Sequence, residues 1–196
     1  RDPLRPVRLC VEMKLLNRKL EVPTILAFDH DLGGGATAYL VEKRRLALQQ
    51  GYRFITIRYN IVSNRFYFTY QYKQYELEFF ANDLETVLDE VMRVDEIWIN
   101  ELVTYQNLYG TLERILRLKK EQGARILMLL HDFFALCPAV NLIDAQGKYC
   151  GVGSCQVCDK CIPDNGSNAC TEYGSGTLWR RKFREFLLNC DEIRAF

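Results

Sequence analysis

Residues 148–163, KYCGVGSCQVCDKCIP, place Cys150, Cys155, Cys158 and Cys161 within twelve positions, with Cys137 and Cys170 flanking them. Two overlapping C-x-x-C units suit thiolate chelation, because a two-residue spacer lets both sulfurs reach one tetrahedral ion. Zinc is the ordinary ion for such a set in a reducing compartment. The close C-x2-C-x2-C spacing also suits an iron–sulfur cluster. A disulfide framework fits a small secreted domain better than a chain with a full core, and thiols that stay free are the remaining reading. Four cysteine ligands leave no open position for a substrate, so a metal at Cys150, Cys155, Cys158 and Cys161 would be structural.

A second set of residues could do chemistry of another kind. Asp29, His30 and Asp31 run into Gly33, Gly34 and Gly35; Asn100 is followed by Glu101, and His131 by Asp132. Consecutive glycines before a helix let a backbone approach closely and leave N–H groups free for a phosphate or a developing negative charge. The run is neither the dinucleotide fingerprint nor a Walker loop, and a tight turn needing positive φ explains it equally well. His131 beside Asp132 reads as a base with an orienting carboxylate. Adjacent strand residues point to opposite faces, however, which argues against direct pairing. Cys137 offers a thiol near His131, but no oxyanion-hole motif accompanies it.

The elements that must position these residues alternate. PTILAFDH (23–30) is an apolar run suited to a strand covered on both faces, and DLGGGATAYLVEKRRLALQQG is a glycine turn entering a helix that Gly51 ends. YRFITIRYN (52–60) reads as a second strand, and the aromatic alternation of 65–80 as a hairpin. Asn82 three residues before Glu85 resembles a capping box, opening a helix with Leu84, Val87, Leu88, Val91 and Met92 on one face. EIWIN (96–100) is a strand, Leu108, Leu112, Ile115 and Leu116 mark a helix stopped by Gly123, and RILMLLH (125–131) is an apolar strand. Residues 132–177 break the rhythm as a long cysteine-rich loop. A helix over 177–190 and a strand in DEIRAF close the chain. Strands and helices alternating in this way predict an α/β fold, a Rossmann-like parallel sheet with flanking helices. In such a sheet ligands bind beyond the carboxyl ends of the strands, and both histidines fall on that edge.

The chain of 196 residues is 48% hydrophobic and carries 26 Lys+Arg against 25 Asp+Glu. That balance offers no excess charge for a phosphate backbone and argues against nucleic acid. No apolar run is long enough to span a bilayer. The expected organisation is an N-terminal arm (1–22) and one domain (23–196), soluble and cytoplasmic, read as a piece of a longer polypeptide.

ILAFDHDLGGGATAYL, DEIWINELVTY, LMLLHDFFALCPAVNLIDAQGKYCG and DEIRAF together resemble the N-terminal, acceptor-side half of GT-B glycosyltransferases of the retaining family 4 type, closest to bacterial enzymes of surface polysaccharide or O-antigen synthesis. The resemblance implies a cleft shared with a C-terminal donor-binding domain to which nothing in this chain corresponds. It implies that Gly33–Gly35 lie beside the donor diphosphate and acceptor, and that His131 supports the transition state. Asp31, Asn100 and Asp132 would line the acceptor side. It implies a nucleotide-sugar donor, a glycan or lipid-linked acceptor and no catalytic cofactor or metal, and the isolated chain is not expected to turn over. The alternative is a non-catalytic, zinc-stabilised Rossmann-like module that binds a protein.

Arg180, Arg181, Lys182 and Arg184 stand opposite an aromatic helical face. Such a helix can lie on an anionic membrane, here the inner face of the plasma membrane, or pack its aromatic face on the sheet with a solvated basic back. The following strand favours packing.

Overall fold

The computed structural model describes residues 22–88, 93–169 and 174–196. The N-terminal arm therefore lies outside the described residues but for Val22, as do Val91, Met92 and Cys170. Seven strands form one sheet: β1 (Thr24–His30), β2 (Arg53–Asn60), β3 (Arg65–Tyr72), β4 (Tyr75–Ala81), β5 (Glu96–Ile99), β6 (Arg125–Leu130) and β7 (Glu192–Ala195). Their spatial order is β4-β3-β2-β1-β5-β6-β7. The pairs β1·β2, β1·β5, β5·β6 and β6·β7 are parallel, while β3 and β4 add an antiparallel hairpin beside β2. The protein thus has the expected Rossmann-like α/β fold.

Every residue of β1 is buried, as an apolar run in the middle of a covered sheet requires. Its side chains alternate between two cores. Ile25 and Ala27 pack with Leu40, Ala47 and Phe54 beneath helix α1 (Gly35–Gln49). Leu26 and Phe28 enter the larger core on the opposite face. There Leu108, Leu112 and Ile115 of helix α3 (Leu108–Gln122) meet Trp179, Phe183 and Phe186 of helix α5 (Gly176–Leu187). Trp179 is fully buried and its indole N–H donates to the Phe134 carbonyl at 2.8 Å, so the ring satisfies its polar atom while filling the core. The aromatic face of α5 therefore packs as expected, but its basic back is not wholly solvated. Arg180 turns inward and donates to the Leu136 and Gly153 carbonyls.

Three expectations need adjustment. The short helix α2 (Leu84–Leu88) is capped by Asp83 and not by Asn82: the Asp83 carboxylate accepts from the Thr86 backbone N–H and hydroxyl. A capping oxygen three residues ahead of its N–H fits the geometry better than the box inferred one position earlier. The cysteine-rich stretch is not all loop. Ile143 and Tyr149 form a bridge, and Cys155–Cys161 is a helix, α4, whose N-cap Ser154 accepts from Val157 N–H. Seven residues, about two turns, are too few to register as amphipathic periodicity. The third concerns strand ends: Asn100 and His131 sit one residue beyond β5 and β6, although the Asn100 N–H still donates to the Phe28 carbonyl of β1 at 2.9 Å.

The edge strands differ. β4 presents Glu76 and Glu78 outward, whereas β7 is a four-residue strand whose Arg194 pairs with Glu192 at 2.6 Å.

Candidate functional site

The chain crosses from β1 to β2 on one side and onward to β5, β6 and β7 on the other, so the connections part between β1 and β5. That divergence opens the crevice where doubly wound sheets bind ligands. Asp29 of β1, Asn100 after β5 and His131 after β6 meet there.

Asn100 is fully buried and Asp29 is 1% exposed. The Asn100 amide N–H₂ donates to Asp29 Oδ1 at 2.8 Å and to the Ala36 carbonyl in the first turn of α1 at 3.0 Å. Both partners are acceptors, so the amide orientation is fixed and Asn100 Oδ1 must accept. His131 Nε2 lies 3.0 Å from that oxygen and therefore carries the hydrogen. Burial holds the imidazole below its usual pKa, so the ring is neutral near pH 7. Nδ1 then bears the lone pair, and among the described residues no hydrogen bond engages it. The ring itself is clamped: it stacks on Phe196 at 4.8 Å between centroids, and Tyr39 of α1 meets it edge-on at 5.4 Å. A neutral, oriented imidazole with one free nitrogen can accept a proton or a hydrogen bond, or support positive charge developing beside it.

Asp132 does not face His131. It stands with Glu101, whose carboxyl is pushed well above the usual carboxylate range, first by burial and then by repulsion from Asp132. Asp132 Oδ1 accepts from the Phe134 N–H at 2.7 Å, and Glu101 Oε1 accepts from Leu102 N–H at 2.9 Å. The neutral form of Glu101 is therefore favoured beside Asp132. Two carboxyls in so dry a place cannot both ionise. His131 and Asp132, both just past β6, thus take separate hydrogen-bond partners, although the Asp132 charge still acts on the imidazole.

The glycine loop is open on all sides. Gly33 has φ +78° and Gly34 φ +93°, and a Cβ built on either would touch nothing within 4 Å. The glycines are needed for backbone conformation and not for close approach to another part of this chain. His30 pins the loop from below: its Nδ1 accepts from the Leu32 N–H at 3.2 Å, and Nε2 lies 3.5 Å from Thr37 Oγ1. The two histidines therefore differ, His30 with both ring nitrogens engaged locally and His131 with one. Asp31 leans toward β2, where Asn60 donates to it and Arg58 stands at 3.9 Å. The structure thus brings Asn100 and His131 into contact, holds Gly33–Gly35 at the start of α1 on the same edge, and gives Asp31 and Asp132 separate partners.

Asp29 and Glu101, grouped at the strand ends by sequence without an assigned role, gain one from their surroundings. What marks them is burial, visible only once the sheet is assembled. Tyr105 is a site member that residue type alone does not single out: its hydroxyl donates to the Ile57 carbonyl at 2.9 Å and so ties the loop after β5 to β2.

The cysteines gather elsewhere, beyond the β6 loop. Cys137, Cys150, Cys158 and Cys161 line a cavity of about 340 Å³ together with Ile143, Asp144 and Ile162 among others. The six described cysteines form no disulfide. Among the described residues, no three Cys, His, Asp or Glu side chains stand close enough to hold an ion as they lie. Cys155, one of the four clustered in sequence, is not part of the lining, and the flanking Cys137 is.

No described helix is long and apolar enough to cross a membrane. Comparison with protein families, with curated proteins and with solved structures finds no match.

Proposed function

We propose that this chain is the acceptor-side half of a retaining glycosyltransferase, taking a nucleotide-sugar donor in synthesis of a polysaccharide or O-antigen-type glycan. The observation that carries the reading is the hydrogen-bonded series Asp29–Asn100–His131 at the point where the sheet's connections diverge. A neutral imidazole held by ring contacts and one directed hydrogen bond is suited to lie against a sugar and stabilise positive charge as the glycosidic bond breaks. The open Gly33–Gly35 loop at the start of α1 leaves backbone N–H groups for phosphate oxygens. His131 is the residue we assign to transition-state support, with Asn100 positioning it. Asp31 and Asp132 are assigned to the acceptor side, and donor binding falls mainly to a second domain. The supply of lipid-linked acceptors would bring the enzyme to the cytoplasmic face of a membrane.

A second reading, a non-catalytic protein-binding module, draws support from Phe196, which covers one face of the His131 ring.

Transfer from a panel of nucleotide sugars, measured on the full polypeptide that contains this chain, tests the proposal. His131→Ala should lower transfer by at least about 100-fold while the circular dichroism spectrum stays unchanged. Full activity in that variant removes the assignment. Absence of transfer by the folded wild-type polypeptide with every donor favours the binding module.

A further inference from the structure

We infer that Cys137, Cys150, Cys158 and Cys161 bind one zinc ion as a four-thiolate centre, and that Cys155 is not a ligand. The inference is independent of the transferase reading.

The four come from separate pieces of chain: Cys137 from the loop after β6, Cys150 just past the Ile143–Tyr149 bridge, and Cys158 with Cys161 from α4. Residues three apart in a helix share a face, so Cys158 and Cys161 point the same way, and Cys155, at the first position of α4, is the one of the helix's three cysteines that does not border the cavity. All four border one cavity. Sequence proximity would have selected Cys155, which stands three residues before Cys158, but the fold substitutes Cys137 across the loop.

Two side chains already address these sulfurs as thiolates require. Arg180 Nη2 lies 3.2 Å from Cys158 Sγ, while Nη1 donates to the Gly153 carbonyl at 2.7 Å, with Cys155 Sγ more distant at 3.8 Å, and Nε donates to the Leu136 carbonyl at 3.1 Å. The guanidinium is thus fixed on backbone from both sides of the cavity and aims a positive charge at a sulfur. Asn165 Nδ2 stands 3.6 Å from Cys161 Sγ and donates to the Ile143 carbonyl at 2.7 Å. A tetrathiolate zinc centre carries two net negative charges, which N–H donors at its sulfurs offset. Cys150 Sγ donates to the Leu142 carbonyl at 3.1 Å, a bond that its thiolate would give up on turning to the ion.

Closing on the ion requires the cysteines to turn about Cα–Cβ, since four sulfurs at about 2.3 Å from zinc lie closer together than a ring of thiols around an open cavity. Each zinc bound releases the protons of the thiols it converts to thiolates, and no bond or oxidation state otherwise changes. The bound ion would fasten the loop to itself below Phe134, the residue whose carbonyl holds Trp179. It would act as a clip on the loop that leads away from His131 and Asp132.

The test uses the whole chain purified under reducing conditions. Zinc content is measured, and alkylation of each cysteine is followed by mass spectrometry before and after chelation. One zinc per chain is expected, with Cys137, Cys150, Cys158 and Cys161 becoming reactive only after chelation and Cys155 reactive throughout. Cys155→Ser should retain its zinc, while Cys158→Ser should lose it. Protection of Cys155 or Cys170 in place of Cys137 overturns the ligand set. Iron with acid-labile sulfide overturns the ion, and protein free of metal that takes up no added zinc overturns the site. Because the alkylation pattern is read on wild-type protein, a variant that fails to fold does not spare the proposal.

Discussion

The strand-end site and the cysteine cavity lie at opposite ends of one connection, yet they are built by different means. At the strand ends, Asp29, Asn100 and His131 come from three strands and satisfy one another, so the arrangement is fixed by the register of the sheet. In the cavity, three of the four cysteines come from one stretch, and their hydrogen-bond partners are backbone carbonyls, Arg180 and Asn165. The first arrangement is complete without a ligand, because every polar contact that orients the imidazole is made within the protein. The second puts four soft donors around a shared space and leaves their mutual geometry to whatever enters. Preorganised dipoles of the first kind serve catalysis, since they need not reorganise when charge develops. Donors of the second kind serve folding, because the ligand that closes them adds its binding energy to stability.

Removing one member of the strand-end series tests that contrast most severely. Asn100→Leu leaves the buried Asp29 carboxylate without its side-chain donor and should cost about 3 kcal/mol in denaturant unfolding. Serine at Cys158 should cost much less when both proteins are stripped of metal, since the sulfur's contacts are few. Equal losses would show that the two regions do not differ in preorganisation.

Glu101 offers a pH test of the same idea. Its folded-state carboxyl is raised, so its contribution to stability is fully present below the ordinary carboxyl range and is lost as pH rises through the raised value. Glu101→Gln keeps the shape of the side chain and an oxygen to accept from the Leu102 N–H, but cannot ionise. The variant should gain on the wild type by about 1–3 kcal/mol between pH 5 and pH 9, when unfolding free energies are compared across that range. A constant difference would mean that the two acids do not share a dry site.

Gly34→Ala should have the smallest effect on the fold. With nothing within 4 Å of the new methyl, only backbone strain at φ +93° opposes it, about 1 kcal/mol. Thermal unfolding measures that cost, and a much larger loss would reveal a packed loop.

Much of the sheet was legible because its strands carry local signals. The continuous burial of Thr24–His30 and the aromatic alternation of β3 and β4 are written in residue type. The placing of His131 and Asn100 on one edge followed from the rule for strand ends. Their hydrogen bond did not, because it depends on which strands are neighbours, and β1 sits beside β5 only through the order of the sheet. Glu101 was hidden for a related reason: an acid's pKa records its surroundings, and nothing in Asn100-Glu101-Leu102 announces how dry they are. Cys155 is a case where spacing and cavity lining point to different ligand sets. Spacing made it look equivalent to Cys158, but the seven-residue α4 turns one toward the cavity and leaves the other off its lining.

The two edge strands have a consequence for how the molecule behaves in company. β4 is seven residues long and would offer a template for another chain's backbone, but Glu76 and Glu78 stand along it, so a second copy approaching edge to edge meets like charge. β7 is guarded by brevity and by the Arg194–Glu192 pair. Among the described residues, each margin of the sheet thus carries a guard against the addition of another chain's strand.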